Sequence, residues 1–361
     1  MAKPKKKKAF DYGLLLVVMI LIVVGLVVLY STSAYNGRVK FQDEFYYLKK
    51  QVFATTLGIL CMYIVARIDY HVWQKYAVFL YVISLILSLA VLFFGDEYNG
   101  SKRWLSFGPL SFQPSEFAKL AVILFLAKLI VQCDKKMKKM KTLLLVMLSI
   151  LPIVGLVGTN NLSTAIIILG IGVVLVFVAS PLYAQFVWLG VSGIGFLTIF
   201  LALESYRLER LAIWRNPELY EKGYQTMQGL YAIGSGGLFG LGSGESIQKL
   251  GFVPEAQNDM IFAIVCEEWG LIGAALLILL FFYLIWRFFL IAIRAKDLFG
   301  TLIATGAMAH MMIQVILNIA VVTNTIPNTG ITLPFVSYGG TSVLFLLTEI
   351  GLVLNVSHLV E

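Results

Sequence analysis

The chain has 361 residues, of which 59% are hydrophobic and only 13% charged, and its mean hydropathy is +0.87. A soluble domain of this length cannot hide so much apolar surface, so composition excludes that class and points to an all-α polytopic membrane protein. The formal net charge of +8 does not signal nucleic acid, because it is concentrated in Lys3, Lys5 to Lys8 and the short run Lys135, Lys136, Lys138, Lys139, Lys141. Basic clusters beside apolar runs are topology signals and contacts to anionic lipid. The three cysteines lie in or beside apolar runs without paired spacing, which argues against a disulfide framework or a zinc site. The apolar run that follows the basic head is too long for a cleavable signal peptide and reads as a retained first span.

A span needs roughly 20 mostly apolar residues. On that ruler the sequence predicts about ten, at 12–34, 48–66, 74–94, 114–132, 142–158, 162–180, 182–203, 260–286, 298–322 and 336–357. Pro181 and the pair Asn160-Asn161 mark the breaks in the long apolar stretch 142–203. The expected organisation is one membrane domain over 1–361, a basic cytoplasmic head at 1–11 and a large extracellular loop at 204–259. An even number of spans puts both termini on one side. Arg67, Lys75, the lysine run 135–141, Arg287, Arg294 and Lys296 then all fall inside, as the positive-inside rule requires. The same parity puts 95–113, 204–259 and 323–335 outside, and loops of such length are usually functional. No internal repeat supports an inverted-repeat transporter.

The chemistry-bearing residues gather in those outer segments. Asp259, just before Met260-Ile261-Phe262, reads as a helix N-cap or as a general base, and the two roles are compatible. Glu255 and Asp259 stand at i, i+4. On a helix they share a face and raise one another's pKa. Lys102 and Arg103, with Arg207 and Arg210 at i, i+3, are cations outside the membrane, suited to a phosphate-bearing ligand or to lipid headgroups. Glu116 and Lys119 form an i, i+3 pair at the outer end of a span, where ionisable residues usually mark function, although a self-neutralising structural pair is the plainer reading. Glu267, Glu268 and Glu349 lie deeper and rank lower as site residues. The glycine-rich run from Gly234 to Gly244 lacks the lysine of a nucleotide-binding loop and reads as flexible backbone packed against the membrane. His71, His310 and His358 are scattered and suggest no metal site.

Taken together, the motifs resemble the SEDS family of FtsW, RodA and SpoVE membrane proteins, over nearly the whole chain. They are Phe10-Asp-Tyr12, Ser31-Thr-Ser33, Asn99-Gly-x-x-Arg-Trp104, Gln113-Pro-Ser-Glu-x-x-Lys119, Tyr206-Arg-x-x-Arg210, Gly223-Tyr-Gln225, Pro254-Glu-Ala-x-x-Asp259 and Pro334-Phe-x-Ser-Tyr-Gly-Gly340. Ser246-Ile-Gln-Lys-Leu250 is closer to the FtsW and SpoVE branch than to RodA. Two departures stand out: Gln257-Asn258 where the family often has His-Thr, and Asn160-Asn-Leu-Ser-Thr164 where it often has Pro-Asp-x-Gly-Thr.

The resemblance implies a peptidoglycan glycosyltransferase that polymerises lipid II at the outer leaflet of the bacterial cytoplasmic membrane, in division or sporulation. Asp259 is then the base. Arg103, Lys119, Arg207 and Arg210 hold the pyrophosphate, Glu116 orients Lys119, and Glu255 and Ser337 complete the substrate contacts. It implies no required cofactor, although a divalent cation (Mg or Mn) would assist the pyrophosphate. The expected partner is a class B penicillin-binding protein, a transpeptidase, among divisome or sporulation membrane proteins. A lipid II flippase and a non-catalytic scaffold for that partner are the rival readings.

Overall fold

The computed structural model describes residues 10–98, 101–107, 110–180 and 211–358, with Gly190 and Gly195 besides. Its helices are α1 (Tyr12–Phe41), α2 (Tyr46–Arg67), α3 (Tyr70–Phe94), α4 (Pro114–Cys133), α5 (Met140–Leu148), α6 (Leu151–Gly158), α7 (Leu162–Ala179), α8 (Tyr224–Ser235), α9 (Ile261–Arg294), α10 (Leu298–Val322) and α11 (Gly340–His358). Eight helical stretches among the described residues are long and apolar enough to cross a membrane, counting α5 and α6 as one. The 20-residue α4 has the length of a ninth, and Glu116, Lys119 and Lys128 are what set it apart in composition. The predicted span 182–203 lies essentially outside the described residues.

Local sequence explains most boundaries. Asp11, Asp69, Asn161 and Asp297 each accept an amide hydrogen bond at the start of α1, α3, α7 and α10, satisfying donors that a helix start leaves orphaned. The predicted span 142–158 is broken between Leu148 and Leu151, just ahead of Pro152, which cannot continue a helix from within but suits its first turn. The predicted 260–286 runs on to Arg294 and contains a non-helical residue, Gly270.

The polar segments sort to the two ends of the bundle. At one end the start of α1, the α2–α3 turn, the α9–α10 turn and the end of α11 are latched together. Arg287 grips Asp11 through both carboxylate oxygens at 2.6 Å, Tyr70 and His71 both reach Asp297, and Asn355 bonds Tyr70 N and Ala66 O. At the other end, 95–113 meets the α6–α7 turn, where Asn160 Nδ2 donates to Lys102 O at 2.9 Å. The segment 323–339 joins Trp214, Gln225 and Gln257 there. This is the grouping that the predicted span parity requires.

Two features add detail to the expected organisation, and the first departs from all-α. Residues 96–112 form a small antiparallel sheet, β1 (Asp96–Tyr98), β2 (Ser101–Phe107) and β3 (Leu110–Phe112), in the order β1-β2-β3. The segment is punctuated in sequence by the turn dipeptides Asn99-Gly100 and Gly108-Pro109, which favour hairpins over a helix. Within the predicted loop 204–259, residues 211–215 and α8 are helical and the rest of the described part is built of turns and short 3-10 segments.

Candidate active site

Asp259 sits at the loop end, in a run of turns that leads into α9. The helix starts at Ile261 with Met260 in the capping position, so the carboxylate of Asp259 is not the helix cap. Nor is the preceding segment helical. Residues 251–260 are turns and Glu255 has a left-handed backbone (φ 56°), which overturns the expected helical face shared by Glu255 and Asp259. The electrostatic coupling survives the different geometry. Asp259 is 7% exposed. Its carboxyl is pushed up to about 7, first by burial and second by the negative charge of Glu255. Hydrogen bonds from the Gln225 side chain and the local amides pull the other way.

Three segments converge on Asp259. From α8, Gln225 Nε2 donates to Asp259 Oδ1 at 3.3 Å, and Asn328 Nδ2 donates to Gln225 Oε1. From α10, Asn318 Nδ2 donates to Asp259 O at 2.8 Å and to Ile331 O at 2.7 Å, tying Asp259 to the segment before α11. That segment also supplies the opening. Gly330 is exposed with φ 68°, and a methyl group built on it would stand 3.9 Å from Asp259 Oδ2 and 4.0 Å from Arg103 Nη1. The carboxylate oxygen and the guanidinium therefore lie within about 8 Å of each other, both beside a residue with no side chain.

Arg103 comes from β2 and is half-buried, with Nε donating to Asn160 O at 2.8 Å. Asn160, which stands where the family often has proline, thus anchors the strand that carries this cation, and Asn161, at the place of the family aspartate, caps α7. Gln257, at the other departure, also has a structural part. Its side chain accepts from Asn36 and its carbonyl from Tyr338 N.

Several expected site residues do other work. Ser337 is 3% exposed, and its hydroxyl both donates to Asn258 O at 2.6 Å and accepts from Leu333 N at 2.8 Å. It is a brace for the turn that bears Asp259, with its hydroxyl committed inside the protein, rather than a substrate contact. Lys119 is 1% exposed, paired with Glu116 at 2.9 Å and donating to Gln314 Oε1 at 3.0 Å. The expected orientation of Lys119 by Glu116 is present, but the pair is sealed in the bundle below the opening. Burial removes Lys119 from the surface where a ligand would first meet the protein. Arg207 and Arg210 lie outside the described residues. No group of three or more His, Cys, Asp or Glu suited to a metal ion occurs among the described residues.

Sequence reasoning gave no role to Gln225, Asn318 or Gly330. Gln225 was present in a quoted motif. Asn318 had a subtler signal: His310, Gln314 and Asn318 recur every four residues in an apolar span and so share one helix face.

This architecture defines a multi-pass helical membrane protein with a buried, cation-flanked carboxylate at one end. The chain belongs to the FtsW/RodA/SpoVE family of cell cycle proteins, whose sequence profile matches residues 12–361. It is 40% identical over 360 residues to stage V sporulation protein E of Bacillus subtilis, covering 98% of each chain. It is 35% identical over 361 residues to a probable peptidoglycan glycosyltransferase FtsW of Trichlorobacter lovleyi, covering 98% of this chain and 95% of that protein. Among solved structures it resembles a chain of a peptidoglycan synthase complex that coordinates polymerization and crosslinking, with TM-score 0.81, 30% identity and coverage of 97% and 98%. It also resembles the rod shape determining protein RodA of Thermus thermophilus, with TM-score 0.70, 29% identity and 97% of each chain covered.

Proposed function

We propose that this chain is a peptidoglycan glycosyltransferase that polymerises lipid II, with Asp259 as the general base. The observation that carries the reading is a carboxyl pushed up to about 7 at an opening shared with Arg103, in a chain whose relatives are named peptidoglycan glycosyltransferases. An acceptor hydroxyl reaching past Gly330 gives its proton to Asp259 Oδ2. Its oxygen attacks C1 of the donor sugar, and the C1–O bond to undecaprenyl pyrophosphate breaks with its electron pair leaving on the phosphate. A base whose pKa lies near the working pH combines adequate strength with a populated ionised form. Pyrophosphate is a good leaving group when its charge is met, so cations replace the second carboxylic acid of a glycosidase. Arg103 takes that part here, with Arg207 and Arg210 proposed alongside it. A divalent cation, where one assists, would ride on the pyrophosphate oxygens.

The sidedness follows from charge. The latched end with Arg67, Arg287, Arg294 and Lys296 is cytoplasmic, as are both termini, and the Asp259 end faces outward. The partner that fits a polymerase with no transpeptidase chemistry of its own is a class B penicillin-binding protein, in a division or sporulation complex.

The test is polymerisation of labelled lipid II by purified protein, alone and with its partner. Asp259→Asn is expected to lose roughly 10²–10⁴-fold in rate while keeping its fold and its partner. Equal glycan ladders from wild type and variant would remove Asp259 as the base. Flux of lipid II across vesicles without any polymer would favour a flippase, and function preserved in the variant complex would favour a scaffold.

A further inference from the structure

The buried polar groups of α4, α10 and α11 form one connected chain below the site. Glu349 on α11 meets His310 Nδ1, with its two oxygens at 2.8 and 3.1 Å. His310 Nε2 lies 2.8 Å from Gln314 Oε1, one turn along α10. The same Oε1 accepts from Lys119 Nζ, and Gln314 Nε2 donates to Thr332 O at 3.0 Å. One further turn along, Asn318 holds Ile331 O and Asp259 O. Glu349, His310, Gln314 and Lys119 are all buried.

Donor and acceptor counting fixes the protons. A backbone carbonyl only accepts and an ammonium only donates, so the Gln314 amide has one orientation: nitrogen to Thr332 O, oxygen to Lys119 Nζ. Reversing it sets oxygen against oxygen and donor against donor. The oxygen therefore faces His310 Nε2, and Nε2 must carry a hydrogen to bond it. Nδ1 then has no hydrogen of its own in a neutral imidazole. It nevertheless lies at hydrogen-bond distance from a carboxylate, which would set a lone pair against a negative charge inside the bundle.

We propose that His310 and Glu349 hold one proton between Nδ1 and the carboxylate in addition to the proton on Nε2, and that His310 is a positioning residue for Asp259. With the extra proton both contacts of the His310 ring are hydrogen bonds, so that α11 is bonded through α10 to α4 and to the 331–332 backbone. The chain is not a proton path from Asp259, because its last links are amide donors on backbone carbonyls. It sets where the base stands. The proton inference rests on hydrogen bonding alone, whereas its link to turnover rests on Asp259 being the base.

The experiment is nitrogen NMR of histidine-labelled protein in bilayers at neutral pH. The chain has three histidines, and the His310 resonances are identified by their absence from His310→Gln. In the wild type Nε2 is expected to be protonated, and Glu349→Gln, whose amide can donate to Nδ1, is expected to leave Nε2 protonated and Nδ1 bare. A wild-type imidazole protonated at Nδ1 and bare at Nε2, the usual arrangement beside a carboxylate, overturns the proton assignment without touching the proposed activity. In polymerisation assays His310→Leu is expected to lower kcat by roughly 10–100-fold with little change in KM, with His310→Gln recovering part of the loss because it keeps a donor toward Gln314. Unchanged kcat in His310→Leu overturns the positioning role. The NMR readout on the unaltered protein stands even if that variant does not fold.

Discussion

At the scale of single residues, the state of Asp259 is set by burial and two named neighbours acting in known directions. Burial and Glu255 raise its pKa to about 7, and the Gln225 amide lowers it by bonding the charged form. A base works when deprotonated, so polymerisation should climb as pH rises through about 7 and level off above it. Glu255→Gln removes a like charge and should move that midpoint down. Gln225→Leu removes a donor to the carboxylate and should move it up. Rate–pH profiles of the three proteins check the pair of shifts, and shifts in the same direction in both variants would contradict this account of the site. Gly330→Ala should lower the rate by inserting a methyl group 3.9 Å from the acceptor oxygen of the base, at a left-handed position that costs roughly 1 kcal/mol for a side chain.

At the scale of elements, the break in α9 shows what a sequence reading can and cannot reach. The spans and the break at Asn160-Asn161 are legible because each depends on a few consecutive residues, whereas the break ahead of Pro152 falls inside a run read as one span. Gly270 (φ 64°, ψ −167°) is not legible from its neighbours, because the cause is a distant segment. Leu241 N and Gly242 N donate to Glu267 O and Glu268 O, while Leu271 N and Ile272 N donate to Gly237 O and Leu238 O. The glycine-rich run thus supplies the hydrogen bonds that the broken helix lacks, and Lys249, bonded to Glu268 at 2.7 Å, neutralises a carboxylate buried beneath it. Packing against the membrane was the expectation for that run, but its closest described neighbour is this helix. The site was legible to the same degree. Residue type and position single out Asp259 and Arg103 as candidates, and the fold brings both beside Gly330, whereas Gln225 and Asn318 meet Asp259 across separations of 34 and 59 residues. Gly270→Ala would put its methyl 2.3 Å from Gly240 N in addition to straining the backbone, and should destabilise the protein by about 2–4 kcal/mol. Gly237→Ala, with open space around the new atom, should cost only about 1 kcal/mol. Thermal unfolding in detergent separates the two.

At the scale of the whole molecule, the candidate site and the Asp11–Arg287 latch occupy opposite ends. The latch of Asp11 to Arg287 ties the start of α1 to the end of α9 through a side-chain pair that is mostly shielded from solvent. Arg287→Ala should lower the unfolding temperature while leaving the pH midpoint of polymerisation where it was, since none of the described groups around Asp259 touches that end. The orientation can be read independently of activity. With Cys61, Cys133 and Cys266 replaced by serine, a single cysteine at Lys138 marks the lysine-rich turn, and one at Glu218 marks the Asp259 end; both positions are exposed. A membrane-impermeant thiol reagent should label Glu218→Cys in intact cells and Lys138→Cys only after permeabilisation. The reverse pattern would turn the protein over and put Asp259 on the side away from the growing wall, where a base for external glycan synthesis has no use. The positive-inside rule makes that reversal costly, because every basic cluster at the latched end would have to cross the membrane together.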